Sequence, residues 1–552
     1  MTDNDKQDDG VRVFVARKIV TMNPAQPQAT HVAARDGRIL AVGDAADMRG
    51  WTHVAPDETF RDKVLMPGLV EGHCHLMEGA MWDAVYVGYY DRRGPDGHLW
   101  TGLKTPAEVL ARLREAERTL SEDHRPLLAW GYDPIFFEAT PLVARDLDTV
   151  SITRPIAVLH ASVHLMNVNT AMLELAGIDA DTDVEGVVMG EDGEPTGELQ
   201  EFAAMFPVYR VIGEGLSIAA SESPRAIWNF GRVAQLAGVT TATDLVNDLT
   251  ASGNANLQAV TADADYPIRI VPAFAPQRCP EGGPQRVLNA REGNTDKLHY
   301  GPVKFIVDGS IQGFTARLRW PGYYNGKPNG LWLIPPSQLV ETFMPFHAAG
   351  LQLHIHTNGD EATQVVLDAM ETLLEKHPRV DHRHTLQHCQ MADVAQLTRA
   401  QRLGMCVNFF ANHVYYWGDA HYTQTMGPER ANRMDAAELA RQLGLPFALH
   451  SDAPITQLNP LFTAWCAAKR ETSTGRVLGE SLRLPRADAL RAVTLGAAFS
   501  LGMDHLIGSI EVGKYADFAV LDADPYDVPL DDLRQMPVWG TVLGGKVFRS
   551  PT

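Results

Sequence analysis

Cysteine is scarce in this chain. The five thiols (Cys74, Cys279, Cys389, Cys406 and Cys466) are widely spaced, odd in number and contain no CxxC pair. That excludes a disulfide framework and a structural zinc knuckle, and it fits a cytoplasmic protein with reduced thiols. Long apolar runs are missing too, so no membrane span is expected. The opening "MTDNDKQDDG" has neither a basic nor an apolar segment, so it does not read as a signal peptide. Basic charge is in deficit: the net charge is -20, which disfavours nucleic acid and anionic lipid as partners. No internal repeat or low-complexity segment is evident. What remains is a chain of 552 residues, 45% hydrophobic and 21% charged, ordinary for a soluble globular protein and long enough for several folding units or one large barrel with additions.

Both ends read as β-structure. "VRVFVARKIVTM" and "HVAARDGRILAVG" alternate apolar and polar residues, and "GSIEVGKYADFAVLD" and "VWGTVLGGKVF" do the same near the C-terminus. They are expected to form one small β-sandwich from residues 1–65 and 507–552. The middle alternates strand and helix. After "VLMPGLVEGHCH" come "GVTTATDLV", "PIRIVPAF", "PVKFIVDGS", "LQLHIHTNGD", "RHTLQHCQ", "GMCVNFFAN" and "LPFALHSDAP", most separated by helical patterns. Near-continuous apolar strands between helices indicate a parallel sheet buried on both faces. Eight of them predict an α/β fold, a (β/α)₈ TIM barrel over residues 66–506. The interval after His75 far exceeds the roughly thirty residues of a βαβ unit. Residues 80–220 therefore read as an inserted subdomain over the top of the barrel.

Active sites of such barrels lie at the C-terminal ends of the strands. The groups found there are His73 and His75, Lys304, His356, His388 and Asp452, each at the end of, or on, a barrel strand. Residues i and i+2 of a strand share a face, so His73 and His75 can reach one cation while Cys74 points away. Imidazole and carboxylate suit Zn²⁺ and similar divalent metals; His356 and His388 could join the same ion or a second. A divalent metal lowers the pKa of bound water towards neutrality, and Asp452 is placed to accept the proton. A lone strand-end histidine is ordinarily no ligand; four histidines and an aspartate at one end of a barrel carry the weight. Lys304 has two readings, a metal role or an ion pair with Asp308. His354, His384 and His450, on the same strands, are expected to pack outside the barrel or to support the ligands. The aromatic stretches "NFFANHVYYWGD" and "MWDAVYVGYYD" either line an apolar pocket, with Trp82, Phe409, Tyr415 and Trp417 against substrate, or pack the insert onto the barrel. His413 among them is a candidate donor to a carbonyl oxygen.

These segments together resemble the amidohydrolase superfamily: "MPGLVEGHCH", "VKFIVDGS", "HTNGD", "LQHCQ", "HSDAP" and "GSIEVGKYADFAVLD". "AWGYD", "SVHLMNVNTAML", "TGELQE" and the large insert are similar to the branch that includes N-substituted formamide deformylase. The resemblance implies one or two divalent metals, zinc by preference, held by His73, His75, His356, His388 and Asp452. It implies that Lys304 matches a lysine carboxylated in many relatives, and it puts His164 and Asn169 near the substrate. The implied activity is hydrolysis of an amide-like C–N bond in a small molecule with an apolar or aromatic part, by metal-activated hydroxide with an aspartate proton shuttle. Deaminases of cyclic amidines carry glutamate three residues after the fifth-strand histidine; here that residue is Gly359, followed by Asp360. Esters or lactones remain open as substrates, as does a non-catalytic metal-bound regulator. A homodimer is the default assembly.

Overall fold

The computed structural model describes residues 10–551 except 52, 121–124, 138–140, 214–215 and 217–218. The reading of the extreme N-terminus, apart from Gly10, lies outside the described residues.

Eight apolar runs of the central chain form the strands of one parallel sheet: β1 (Leu69–Glu71), β2 (Val239–Asn247), β3 (Arg269–Phe274), β4 (Pro302–Ile306), β5 (Gln352–Thr357), β6 (Thr385–His388), β7 (Cys406–Phe409) and β8 (Phe447–Leu449). Each pairs with the next in chain order, β1 through β8. The ring is nearly closed. Past the last ladder pairs, Asp452 N–H donates to His73 O (3.1 Å) and His75 N–H donates to Ala453 O (2.8 Å), joining the extensions of β8 and β1. Glu71 adds a side-chain bolt: its carboxyl oxygens accept from Ser451 N (3.2 Å) and Ser451 Oγ (2.8 Å). The first barrel strand is shorter than "VLMPGLVEGHCH" suggests, because Asp57–Pro67 pairs instead with Phe518–Leu521 of the C-terminal segment. The chain passes between sheets at Gly68, where a Cβ would lie 1.9 Å from Thr240 Oγ1, so only glycine fits this approach.

Alternation decides what each strand offers the barrel. Leu353 and Ile355 of β5, Val303 and Phe305 of β4, and Leu449 of β8 join the apolar layer beneath the helices. Their neighbours, Lys304, His354, His356 and His450, face inward.

The two chain ends form one seven-stranded sheet, with Asp57–Pro67 between strands of the N-terminal segment and Phe518–Leu521. One face packs Phe14, Phe60 and Phe518 around a small core; Val64, Met66, Ala519 and Leu521 on the other join the barrel core. The insert builds a six-stranded sheet of its own. Its helix Pro106–Thr119 begins with a full capping box between Thr105 and Glu108. The insert is seated on the barrel through the buried Arg92, which donates to Pro454 O (2.7 Å) and Thr456 O (2.8 Å) and pairs with Glu78 (3.2 Å).

Candidate metal centre

His73 anchors the site. Its Nδ1 lies 2.8 Å from Gln387 Oε1, and Gln387 Nε2 in turn lies 2.7 Å from His354 Nδ1. The amide oxygen accepts, so the proton sits on His73 Nδ1 and the Nε2 lone pair faces the barrel mouth. Around that Nε2 stand Asp452 Oδ1 at 3.2 Å and Lys304 Nζ at 3.3 Å. His75 Nε2 is 3.2 Å from the same Asp452 oxygen, and His388 Nδ1 is 4.0 Å from Asp452 Oδ2. Burial alone would raise the Asp452 carboxyl; the imidazoles of His73, His75 and His388 outweigh it and hold the group well below the usual carboxylate range.

Two donor groups emerge, each with ligand atoms within 4.8 Å of one another: His73, His75 and Asp452, and His73, His388 and His450. His388 reaches its place through strained backbone. Gln387 already faces inward, so alternation would send His388 out; a φ of 63° turns it back. Asp452 also has left-handed backbone, with φ 53°. His356 sits at the margin. Its ring is 4.5 Å from that of His388, while its Nε2 faces Gly309 O at 3.2 Å. Asp308 does not pair with Lys304. Its oxygens accept from Asn358 N, Gly359 N and Arg317 N.

The donor set suits a divalent cation. Nitrogen and carboxylate ligands are those of Zn²⁺ and its neighbours. His388 Nδ1 and both nitrogens of His450 are buried without a protein partner, as expected of atoms reserved for a ligand.

Several expectations are corrected. Of the two alternatives for His354 and His450, packing outside fails: they lie two residues before His356 and Asp452, so period-two alternation turns them inward with the ligands, and His354 supports His73 through Gln387. His384 does lie outside, bonded to His347 (2.8 Å). Phe409 belongs to the apolar layer under the helices; the ring that reaches the site is Phe410, 4.2 Å from His413 and 5.0 Å from His450. Asn169 is not free to bind substrate. It is fully buried as the N-cap of helix Thr170–Ala176, accepting from Ile156 N and Met172 N and donating to Ser151 O and Arg154 O. The stretch read as an aromatic loop is helix Asn412–Ala420. Its 3.6-residue period puts His413 and Trp417 on the face towards Phe410, whereas Tyr415 packs on Phe462 and Trp465 at 5.1 and 5.7 Å. Trp82 lies against Trp130, 5.3 Å away. The aromatics at this seam, including Tyr90, Phe136 and Trp417, leave a cavity of only about 20 Å³, the room of one water. Most of them fasten the insert to the barrel.

His413 Nδ1 is 3.5 Å from Asp435 Oδ1, and its ring is 6.4 Å from that of His388. His164 is partly exposed, with Nδ1 3.0 Å from Glu201 Oε2. Desolvation lowers its affinity for a proton, but the Glu201 hydrogen bond and the charges of Glu201 and Asp452 prevail and raise it. Sequence reading also passed over Gln387, Glu71 and Phe410. For Glu71 the signal was there, an acid within an otherwise apolar strand.

The Amidohydrolase family profile matches residues 61–549. The chain belongs to the amidohydrolase family. It is a hydrolase of that family. This amidohydrolase is 28% identical over 553 residues to Protein LONG AFTER FAR-RED 3 of Arabidopsis thaliana, covering 96% of this chain and 90% of that one. It is 26% identical over 560 residues to N-substituted formamide deformylase of Arthrobacter pascens, covering 97% of each. Its fold is similar to that of a metal-dependent hydrolase from Pyrococcus horikoshii, with a TM-score of 0.71, 21% identity, and coverage of 94% of this chain and 99% of that one. No helix among the described residues of this amidohydrolase is long and apolar enough to cross a membrane.

Proposed function

We propose that this amidohydrolase cleaves the amide-like C–N bond of an N-substituted formamide or a related N-acyl or aryl amide, with zinc as its cation. The observation that carries the mechanism is the position of Asp452, whose two oxygens face three imidazoles at the mouth of the barrel. The likeness to N-substituted formamide deformylase over nearly all of both chains supports the substrate class.

His73, His75, His388 and Asp452 would hold the cation, with Lys304 and His356 beside them. When bound, a divalent cation supplies Lewis acidity and brings the pKa of a coordinated water towards neutrality. Asp452 accepts a proton from the attacking water and delivers it to the leaving amine. Gln387 keeps His73 in the tautomer that presents Nε2. His413, held by Asp435, is oriented to donate to the carbonyl oxygen, and His164 with Glu201 flanks the entrance. Burial pushes the Lys304 ammonium down to about 7, so its neutral amine, the form able to take up carbon dioxide as a carbamate, is populated at neutral pH. Residue 359 being glycine and Asp360 being engaged with Arg319 N (2.9 Å) leave no glutamate at the deaminase position.

The test is metal analysis followed by a substrate panel of N-substituted formamides, aryl amides, esters and cyclic amidines. Formate and amine should appear in equal amounts. Asp452→Asn should lower kcat by about 10²–10⁴, and a chelator should abolish turnover. Ammonia release from cyclic amidines alone would make the protein a deaminase; turnover that survives both treatments would sink the mechanism.

A further inference from the structure

His450 is an unusual buried histidine. It follows Leu449 at the end of β8, fully buried, with its ring stacked between two others. His73 lies 4.4 Å away at an interplanar angle of 14°, and Phe410 lies 5.0 Å away at 21°. The ring of His388 stands 5.0 Å off, edge-on. Neither nitrogen of His450 has a protein partner, and among the described residues no other buried imidazole has both nitrogens so placed. Buried imidazoles away from the centre are engaged: His160 with Asn167, His384 with His347, His421 with Thr425 and Gln390. A neutral imidazole carries one donor and one acceptor, and burying both unmet is costly. A phenylalanine would fill the same stack without that cost. The nitrogens of His450 therefore point to a ligand, and one of them lies within 4.8 Å of ring nitrogens of His73 and His388.

The second donor group shares His73 with the first. His73 Nδ1 is committed to Gln387, so this residue has one lone pair to give, from Nε2. One lone pair serves one cation. The group of His73, His75 and Asp452 and the group of His73, His388 and His450 thus converge on a single ion.

We propose that His450 is a direct ligand of that ion, which is held by four imidazoles and the Asp452 carboxylate. This rests on the metal reading above and adds both a ligand and a count of one tightly held cation per chain. Five donors are compatible with a divalent ion that expands from four to five coordination.

The experiment compares wild type with His450→Phe, which keeps the stack on His73 and Phe410 but removes both nitrogens. Each apoprotein is titrated with Co²⁺; stoichiometry, affinity against a competing chelator, the visible ligand-field spectrum and the hyperfine-shifted imidazole N–H proton signals are recorded. Wild type should bind one tight Co²⁺ and show four such signals. The variant should bind 10-fold to 100-fold more weakly or worse, with a shifted spectrum and three signals. Equal affinity and an unchanged spectrum would overturn the role of His450 while leaving the metal reading intact. Two tight ions per wild-type chain would overturn the single position. A wild type that binds no Co²⁺ would overturn both this inference and the metal reading. Should the variant fail to fold, the counts in wild type and in His356→Phe decide: four signals in both support the proposal, and three in either overturn it.

Discussion

The two ends of the barrel use buried polar groups differently, although His299 and Tyr300 near the N-terminal end also carry buried atoms without a protein partner. At the N-terminal end, Arg269 of β3 is buried and held by three hydrogen bonds. It donates to Asp517 Oδ2 and Thr241 Oγ1, both at 2.8 Å, and to Asp296 O at 2.6 Å. Asp517 Oδ1 also accepts from Gly544 N (2.8 Å), which ties the barrel floor to the terminal sheet. At the C-terminal end, His388, His450, Asn358 and Asn408 carry buried atoms with no protein partner, and His388, Cys389 and Asp452 hold left-handed backbone. Satisfied buried groups make structure; unsatisfied ones hold free energy in reserve for a ligand. The same strands do both jobs, a few residues apart.

The contrast breaks most visibly at Arg269. Arg269→Ala would leave Asp517 buried and unpaired, and should cost about 3–5 kcal/mol, read as a lowered denaturation midpoint. Metal affinity of the molecules that remain folded should not change. A cost below about 1 kcal/mol would mean that the floor is not the stabilising end. Next comes Asn169→Ala in the insert, which deprives four backbone groups of their partner. About 2 kcal/mol should be lost with KM unchanged. A raised KM at full stability would return Asn169 to the substrate.

A smaller effect lies in the acid range, on the outer flank of the barrel. Leu353 N–H donates to His384 Nδ1 (3.0 Å), so His384 carries its proton on Nε2, towards His347 Nδ1. His347 Nε2–H then meets His377 O at 2.7 Å. His382 accepts from His384 N (3.0 Å) and donates to Leu403 O (2.8 Å). Each ring already spends its lone pair on an N–H, so a second proton has no acceptor. Burial first, then nearby cations including Arg379, lower all three. With folded values below the unfolded 6.5, the unfolded chain binds more protons below that pH, so stability falls as pH drops beneath about 6.5. His384→Leu should flatten this limb by up to one proton, about 1.4 kcal/mol per pH unit, in metal-saturated protein. An unchanged slope would show that the rings protonate freely when folded.

The barrel and the identity of most candidate ligands were legible because both follow from local rules: apolar runs set the strands, and polar residues at their ends stand out. The errors came where one residue of phase mattered. Phe409 and Phe410 are equally aromatic, and only the strand's alternation shows which faces the candidate metal centre. His450 shares the phase of Asp452, a parity readable from spacing but missed. The inward turn of His388 depends on one left-handed φ, which no pattern displays. Asn169 precedes "TAMLELA" as a helix-capping asparagine should, yet its resemblance to a substrate motif drew the reading elsewhere. The helix at Asn412–Ala420 hid behind its aromatics, which suggest a loop over the mouth of the barrel.

The smallest prediction tests the reserve itself. Asn408 of β7 is fully buried and lies between Gln387 and Ala448 in the ladder. Both atoms of its amide lack a protein partner, although the group lies 3.1 Å from where a Cβ on Gly72 would stand. Asn408→Leu has similar volume and removes two unmet polar atoms. If the catalytic end of the barrel gives up stability to keep polar groups open, the metal-free variant should gain about 1 kcal/mol, the reverse of Arg269→Ala at the floor. Thermal denaturation of the apoproteins measures it. A loss of similar size would mean instead that the amide binds a buried water and is satisfied by it.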